Sequence, residues 1–205
     1  MINTNLLTIL ENLEEELIGL FHEFHRYPEL SNEEFETTKK IKELLGQVDI
    51  EVLDLPLKTG LVAQVKGNPN GPVVAIRCDI DALPIIEETS LSYKSLSNGK
   101  MHACGHDAHT AILLGLAELL KNHEHELNGK VKLIFQPCEE CGPGGAMAMI
   151  EDNVLENPKV DAMLALHTDN AIRDYENGDV IVRYGSMSAY EDPINLKIVG
   201  KGGHA

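Results

Sequence analysis

The sequence has few cysteines, few basic residues and no long apolar run, and each shortage excludes a class of protein. Four cysteines in 205 residues are too few for a scaffold held together by disulfides. Lys and Arg total 17 against 33 Asp and Glu, a formal net charge of −16, which argues against nucleic-acid and anionic-membrane partners. No stretch approaches the roughly 20 apolar residues of a membrane span, and the N-terminus lacks the basic segment of a secretory signal. We therefore expect a cytoplasmic, reduced, acidic globular protein.

Apolar periodicity predicts helices that alternate with strands. Leucines and phenylalanines at steps of three and four from Leu6 to Phe24 predict an amphipathic first helix. Ser31 and Glu34 have the spacing of a capping box that opens a second helix. Short apolar runs that predict strands lie at 61–65, 73–76, 131–135 and 162–166. The alternation indicates an α/β sandwich with a central, mostly parallel sheet. Near Gly185 the pattern changes, and a separate alternating strand is predicted from Ile194 to Val199.

Acids, histidines and a thiol follow the predicted strands, at the edge where open α/β sheets place their ligands. These residues are Asp79 and Asp81, then Cys104, His106, Asp107 and His109, then Glu139 and Glu140, and finally His167. Taken singly, each group has an ordinary explanation as a capped turn, a hydrated surface pair or a hydrogen-bonded loop histidine. Their coincidence at one edge favours a metal site.

The ligand types indicate the metal and the chemistry. Imidazole and thiolate favour zinc or a similar first-row ion, and carboxylates extend the choice to manganese or cobalt. Adjacent glutamates suit a hydrolase, because one can bind metal while its neighbour takes a proton from metal-activated water.

Cys138-Glu139-Glu140-Cys141 also has the spacing of a thioredoxin-like motif or of half a zinc knuckle. Two carboxylates between the thiols raise the thiol pKa values, which disfavours a reactive thiolate. A second C-x-x-C that would complete a zinc knuckle does not occur. We therefore expect Cys138, Cys141 and Cys78 to be small buried residues, and a redox or zinc-structural module is kept as an alternative that thiol titration would test.

Three motifs together resemble the M20 family of metallopeptidases. They are MHACGHDAHT at 101–110, FQPCEE at 135–140 and ALH at 165–167. The similarity is greatest to the amidohydrolase branch, which includes N-acyl-amino-acid, hippurate and auxin-conjugate hydrolases. HRYPELS at 25–31, RCDIDALP at 77–84 and GKGGHA at 200–205 match that branch too, so the resemblance covers nearly the whole chain.

The resemblance implies a two-metal amidohydrolase that cleaves an amide bond next to a carboxylate-bearing amino acid. Its cofactors would be two divalent ions (zinc, manganese, cobalt or nickel), and its substrate a small N-acyl amino acid or peptide. Carried over by position, the metal ligands are Cys104, shared by both ions, with His106, Glu140 and His167. Glu139 is the general base and later the proton donor. Asp81 orients the ligands from outside the coordination shell.

The resemblance also implies a second domain. His204 would be a lid-domain histidine that stabilises the oxyanion and reaches the partner subunit's site in a homodimer. Residues 1–185 would be the catalytic metal-binding domain, and 186–205 the beginning of a small α+β lid or dimerisation domain. Asp79 stands where peptidase branches carry a histidine ligand, so no metal role is assigned to it. Cys138 stands where alanine is usual.

Members of the family are roughly twice as long as this chain, and their final metal-binding histidine would lie beyond residue 205. The alternative function is therefore a truncated, catalytically impaired fragment that keeps the scaffold and binds metal without turnover. Metal stoichiometry together with an activity assay would separate the two.

Overall fold

A computed structural model describes residues 4–142, 144–169, 176–187 and 194–203, and its helices and strands alternate along the chain. The helices are α1 (Thr4–Arg26), α2 (Phe35–Gln47), α3 (His106–Asn122) and α4 (Gly145–Glu151), with a short 3-10 helix at Glu124–Glu126. The strands are β1 (Glu51–Val52), β2 (Leu61–Lys66), β3 (Val73–Asp79), β4 (Lys130–Gln136) and β5 (Ala162–Ala165).

The strands form one mixed sheet in the order β1-β2-β4-β3-β5. β3 pairs in parallel with β4 and β5, whereas β2 is antiparallel to β1 and β4. Strands β1, β3, β4 and β5 therefore run in one direction, which confirms the predicted α/β fold with a mostly parallel sheet. β4 lies between β2 and β3, although those two strands are consecutive in the chain.

Alternate residues of the central strand β4 face two apolar cores, as the two-residue period of a strand requires. Leu133 and Phe135 are buried on one face of the sheet, in a core shared with Ile41 of α2 and Leu113 of α3. Ile134 faces the other core, which includes Met149 of α4 and Val154 after it. The central strands of the sheet are thus covered on both faces, whereas β5 is exposed, and the strand ends are free to carry a site.

The predicted capping box is wrong, because both of its side chains are used elsewhere. α2 begins just after Glu34 without a side-chain cap. The buried Glu34 carboxylate instead accepts hydrogen bonds from Thr59 Oγ1 at 2.8 Å and from the Cys138 backbone N–H at 2.7 Å. Ser31 Oγ donates to Asp81 Oδ2 at 2.6 Å. Ser31 and Glu34 have the spacing of a local helix cap, but here their side chains connect distant segments of the chain.

The chain divides into two compact units, Met1–Thr168 and Asp169–Ala205. In the second unit, Asp169 and residues 176–187 and 194–203 are described, and these contain no helix or strand. The strand predicted at Ile194–Val199 is therefore wrong: a strand needs a hydrogen-bonded neighbour, and alternating apolar residues do not by themselves provide one. The predicted domain boundary after residue 185 stays a prediction. Across all described residues, none of the helices has the length and apolar character that a bilayer crossing requires.

Candidate metal centre

The ends of three parallel strands and the beginning of one helix meet at one edge of the sheet. Three groups of side chains there have ligand atoms within 4.8 Å of one another, and His106 belongs to all three. The groups are Cys104, His106 and His167; Asp79, His106 and His109; and His106, Glu139 and Glu140. Asp81 lies beside these groups, with its Oδ1 3.3 Å from His106 Nδ1. The structure thus brings together all the predicted site residues except His204, which lies outside the described residues.

His106 is fully buried at the start of α3, and only one of its ring nitrogens is hydrogen-bonded. Nδ1 donates to the backbone oxygen of Asp81 at 2.9 Å, which leaves the lone pair of Nε2 directed into the site. Nε2 and Glu140 Oε1 lie 3.8 Å apart, and both are buried without a hydrogen-bond partner among the described residues. Buried polar atoms are rarely left unpaired. Since a zinc-type ion holds N and O ligands at about 2.0–2.2 Å, one ion fits between them.

The loop before α3 depends on Gly105 to present its ligands. Gly105 has a φ of +88°, in the left-handed region that favours glycine, and any side chain there would collide with Thr168 Oγ1. This close approach sets Cys104 Sγ 3.3 Å from Nε2 of His167. The other ring nitrogen of His167, Nδ1, donates to the Thr168 backbone oxygen at 2.6 Å, so its Nε2 is available as a ligand.

Burial and the neighbouring charge of Glu140 raise the pKa of the Cys104 thiol to about 12. Without a bound cation, Cys104 therefore stays protonated at neutral pH. A bound cation reverses that preference, because a coordinating thiol loses its proton. The acidic surroundings that suppress a free thiolate are therefore suited to a cation.

The two adjacent glutamates have different environments. The Glu139 side chain is 42% exposed, and its Oε2 lies 3.9 Å from His106 Nε2. Burial and the charge of Glu140 raise the pKa of Glu139, which suits a group that accepts and returns a proton. The Glu140 side chain is 20% exposed, and its backbone N–H donates to Asp81 Oδ2 at 3.0 Å.

Asp81 connects the two halves of the site. Its Oδ2 accepts the Ser31 hydroxyl and the Glu140 N–H, while Oδ1 lies 3.3 Å from His106 Nδ1. Burial opposes ionisation of Asp81, but these hydrogen bonds outweigh it and lower the pKa of the carboxyl. Its contacts are those of a residue that orients ligands.

Asp79, His109 and Arg77 also support the site. The sequence placed Asp79 and His109 at this edge without a specific role, and it did not single out Arg77. His109 Nδ1 donates to Asp79 Oδ1 at 2.6 Å, and Arg77 donates to Asp79 Oδ2 at 2.8 Å. Burial opposes the charge on Asp79, but the His109 hydrogen bond and the charges of His106 and Arg77 together lower its pKa to about 2. The available signal was the spacing of His106 and His109, since residues three apart share one face of a helix.

The two cysteines of the C-E-E-C motif are joined in a disulfide, with Cα atoms 5.6 Å apart. Cys138 is buried as predicted, but Cys141 is only half-buried, and the expectation of a reduced protein is wrong for this pair. Charge arguments concern thiolate reactivity, whereas a disulfide also requires a turn that brings the two Cβ atoms together. Cys138 provides that turn with a φ of +50°. Cys78 is a buried free thiol, as predicted.

The model of peptidase family M20/M25/M40 matches residues 75–192. The chain belongs to this family. The M20 chain is 48% identical over 196 residues to N-acetyl-L-cysteine deacetylase of Bacillus subtilis, covering 96% of this chain and 46% of the relative. It is 41% identical to thermostable carboxypeptidase 1 of Saccharolobus solfataricus, covering 94% and 48% of the respective chains.

Solved structures agree with the family assignment. The crystal structure of a dinuclear metal binding peptidase of the M20 family from Bacillus subtilis matches with a TM-score of 0.74 at 48% identity. That match covers 78% of this chain and 44% of the other. The predicted family resemblance is confirmed. This M20 chain spans about half the length of the curated relatives it matches.

Proposed function

We propose that this M20-family protein is a metal-dependent amidohydrolase that cleaves the amide bond of N-acyl amino acids or small peptides. The observation that carries the proposal is the pair of unpartnered buried atoms, His106 Nε2 and Glu140 Oε1, beside a glutamate of raised pKa. The names of the relatives support the substrate class. A deacetylase of N-acetyl-L-cysteine and a carboxypeptidase both hydrolyse an amide bond whose nitrogen belongs to an amino acid with a free carboxylate.

The ligands proposed for the ions are Cys104, His106, Glu140 and His167. Two divalent ions, when bound there, supply a Lewis acid and a water of lowered pKa. Zinc, manganese, cobalt and nickel all suit this mixture of thiolate, imidazole and carboxylate.

Glu139 is proposed to take the proton from the attacking water and to return it to the leaving amine. The Glu139 side chain is more exposed than that of Glu140, which supports this assignment, and its own raised pKa suits a proton acceptor. Asp81 is proposed to hold the imidazole of His106 and the backbone of Glu140 in place. His204 is proposed to stabilise the oxyanion from a lid domain beginning near residue 186, within a cytoplasmic homodimer.

Substituting Glu139 and Glu140 separately by glutamine tests their proposed roles as proton acceptor and metal ligand. Glu139→Gln should keep metal content but lose turnover of N-acetyl amino acids by about 100- to 10,000-fold, because the proton acceptor is gone. Glu140→Gln should lose bound metal as well. The measurements are elemental analysis after dialysis and release of free amine from N-acetyl-L-cysteine.

Glu151→Gln, an exposed change on α4, serves as the matched control and should alter neither quantity. Equal metal loss in the two site variants would mean that the roles are misassigned. Wild-type chain that binds metal without hydrolysing any N-acyl amino acid would favour the impaired-fragment alternative.

A further inference from the structure

The disulfide between Cys138 and Cys141 closes a small ring around the two candidate functional glutamates. We propose that this pair is a reversible exchange site for low-molecular-weight thiols and disulfides, and that its oxidised state fixes the loop carrying Glu139 and Glu140. The proposal deepens the function proposed above, because it makes a redox modification control the geometry of that site.

The loop is held differently at its two ends. At the first end, the Cys138 N–H donates to the buried Glu34 carboxylate at 2.7 Å, and its C=O accepts the Gly145 N–H at 2.6 Å. At the second end, Cys141 is half-buried, and its side chain is held by the disulfide and by Asn32. Opening the disulfide therefore leaves the Cys138 end anchored and loosens the Cys141 end.

The carboxylates depend on the backbone between those ends. Glu139 is 42% exposed, so few neighbours restrain its side chain, and the direction of its carboxylate follows its backbone. Glu140 is positioned through its N–H, which donates to Asp81 Oδ2 at 3.0 Å. After reduction, the backbone of this loop has more freedom, so we expect both carboxylates to move relative to His106.

The sulfurs also have the surroundings that exchange requires. Asn32 Nδ2 donates to Cys138 Sγ at 3.2 Å and to Cys141 Sγ at 3.4 Å, so an amide proton stabilises whichever sulfur leaves with negative charge. Cys141 is half-buried, and the following Gly142 is exposed, which gives a small thiol access to that sulfur.

The proposed thiol–disulfide exchange needs one co-reactant pair, a small thiol and its disulfide. A thiolate attacks one sulfur, the Cys138–Cys141 bond breaks, and a mixed disulfide forms while the second cysteine takes up a proton. A second small thiol then releases the first as a small-molecule disulfide, so that two thiols are oxidised and the protein disulfide is reduced to two thiols. The oxidised small molecule drives the reverse sequence.

The first experiment counts thiols after equilibrating the metal-free chain with glutathione at a series of reduced-to-oxidised ratios. Alkylation under denaturing conditions followed by mass measurement should give two adducts, on Cys78 and Cys104, at the oxidising end and four at the reducing end. A pair that remains entirely oxidised or entirely reduced at every ratio overturns the proposal.

The second experiment measures hydrogen exchange of the same metal-free samples. The amide of Glu140 should exchange about tenfold faster in the reduced form, because the cross-link no longer restrains the segment. The amide of Gly145, which donates at the anchored Cys138 end, should exchange at the same rate in both forms. The matched control is the double variant Cys138→Ala/Cys141→Ser, which keeps Cys78 and Cys104. It should exchange at the fast rate in both buffers, and a redox-dependent rate in this variant would contradict the assignment.

The third experiment titrates Mn²⁺ after glutathione has been removed anaerobically. The oxidised chain should bind Mn²⁺ about tenfold more tightly than the reduced chain, with no redox effect in the double variant. Equal Mn²⁺ affinity of the oxidised and reduced chains would overturn the proposal that the disulfide controls the metal site. Absence of Mn²⁺ binding in both states would instead contradict the proposed function. The exchange site would then still be tested by the thiol count and by hydrogen exchange.

Discussion

His109 links two strands of the site through its two ring nitrogens. Nδ1 donates to Asp79 at the end of β3, and Nε2 accepts the Thr168 backbone N–H at 2.9 Å and faces the Thr168 hydroxyl at 3.1 Å. Thr168 directly follows His167, one of the proposed ligands. His109 therefore positions a ligand that follows the exposed strand β5, from a fully buried location on α3.

Replacing His109 by leucine should weaken metal binding without removing a proposed ligand. Partners that hold metal ligands from outside typically contribute about 10- to 100-fold in affinity, and the leucine variant should lose an amount of that order. Calorimetric titration with Mn²⁺ measures the change. His125→Leu, at an exposed histidine of the 3-10 helix, is the control and should bind as the wild type does. Unchanged affinity in the His109 variant would show that β5 holds His167 unaided.

Which side chains meet at the site could be predicted only in part from the sequence. Motifs and strand ends indicated Cys104, His106 and Glu140 because ligand type and position are local properties. The spacing of His106 and His109 places both on one face of α3. It does not specify the Asp79–His109 contact, which depends on how α3 packs against the end of β3. Ser31 shows the same limit, since its hydroxyl bonds to Asp81, 50 residues away, instead of capping the helix that follows.

At the scale of elements, a buried charged cluster joins α1 to the start of α3. His25 Nδ1 lies 2.6 Å from Asp107 Oδ2, and its Nε2 lies 3.2 Å from Glu87 Oε1, with all three side chains buried. The hydrogen bond with Asp107, together with that of Glu87 and both charges, outweighs the opposing effect of burial and raises the pKa of His25. The cluster fixes the helix that presents the site histidines.

The raised pKa of His25 predicts a pH-dependent stability. A histidine whose pKa is higher in the folded state contributes fully below its unfolded pKa of about 6.5 and loses that contribution as the pH rises through the folded pKa. The free energy of unfolding, measured with urea from pH 6 to pH 9, should therefore fall more steeply in the wild type than in His25→Asn.

The same variant should also be less stable at pH 6, because it leaves two buried carboxylates without their cation. Removing one partner of a buried pair typically costs about 3–5 kcal/mol. His22→Asn, on the same helix, provides the comparison. Parallel pH profiles of the wild type and His25→Asn would mean that His25 is neutral in the folded protein.

Most helices and strands of the first unit followed from apolar periodicity, whereas the short β1 and the arrangement of the strands did not. β2 and β3 are neighbours in sequence, but β4 is inserted between them because the α3 crossover returns the chain to the middle of the sheet. Lys132 shows how packing overrides residue type. It is fully buried in β4, where its Nζ donates to the backbone oxygens of Val154 and Glu156 at 2.7 and 2.6 Å.

At the scale of the whole molecule, the strongly negative charge and the site reinforce each other. Four carboxylates, those of Asp79, Asp81, Glu139 and Glu140, lie at one edge of a chain whose formal net charge is −16. Such a field attracts cations and repels anions over distances near the Debye length. Bound divalent ions would offset the repulsion among these carboxylates, so metal uptake and stability are coupled.

Burial is divided unequally between the two units of the chain. Among the described residues, every buried apolar side chain lies in Met1–Thr168, and the last of them in sequence is Val154. Apart from the half-buried Ile181, the described apolar side chains of the second unit are exposed, including Val180 at 87%, Tyr184 at 99% and Ile198 at 85%. The first unit therefore contains both cores and all four proposed metal ligands, and it should fold by itself.

A chain of residues 1–170 tests that expectation. Since no described core residue is removed, its free energy of unfolding should match that of the full chain to within about 0.5 kcal/mol, the size of an ordinary surface effect. Its Mn²⁺ affinity should be unchanged as well, because the proposed ligands remain. Any hydrolysis of N-acetyl-L-cysteine should nevertheless fall by about 100- to 1,000-fold, the usual cost of one lost oxyanion donor, because His204 is removed. Loss of metal binding together with turnover would place a ligand in residues 171–205 and contradict the ligand set proposed for the first unit.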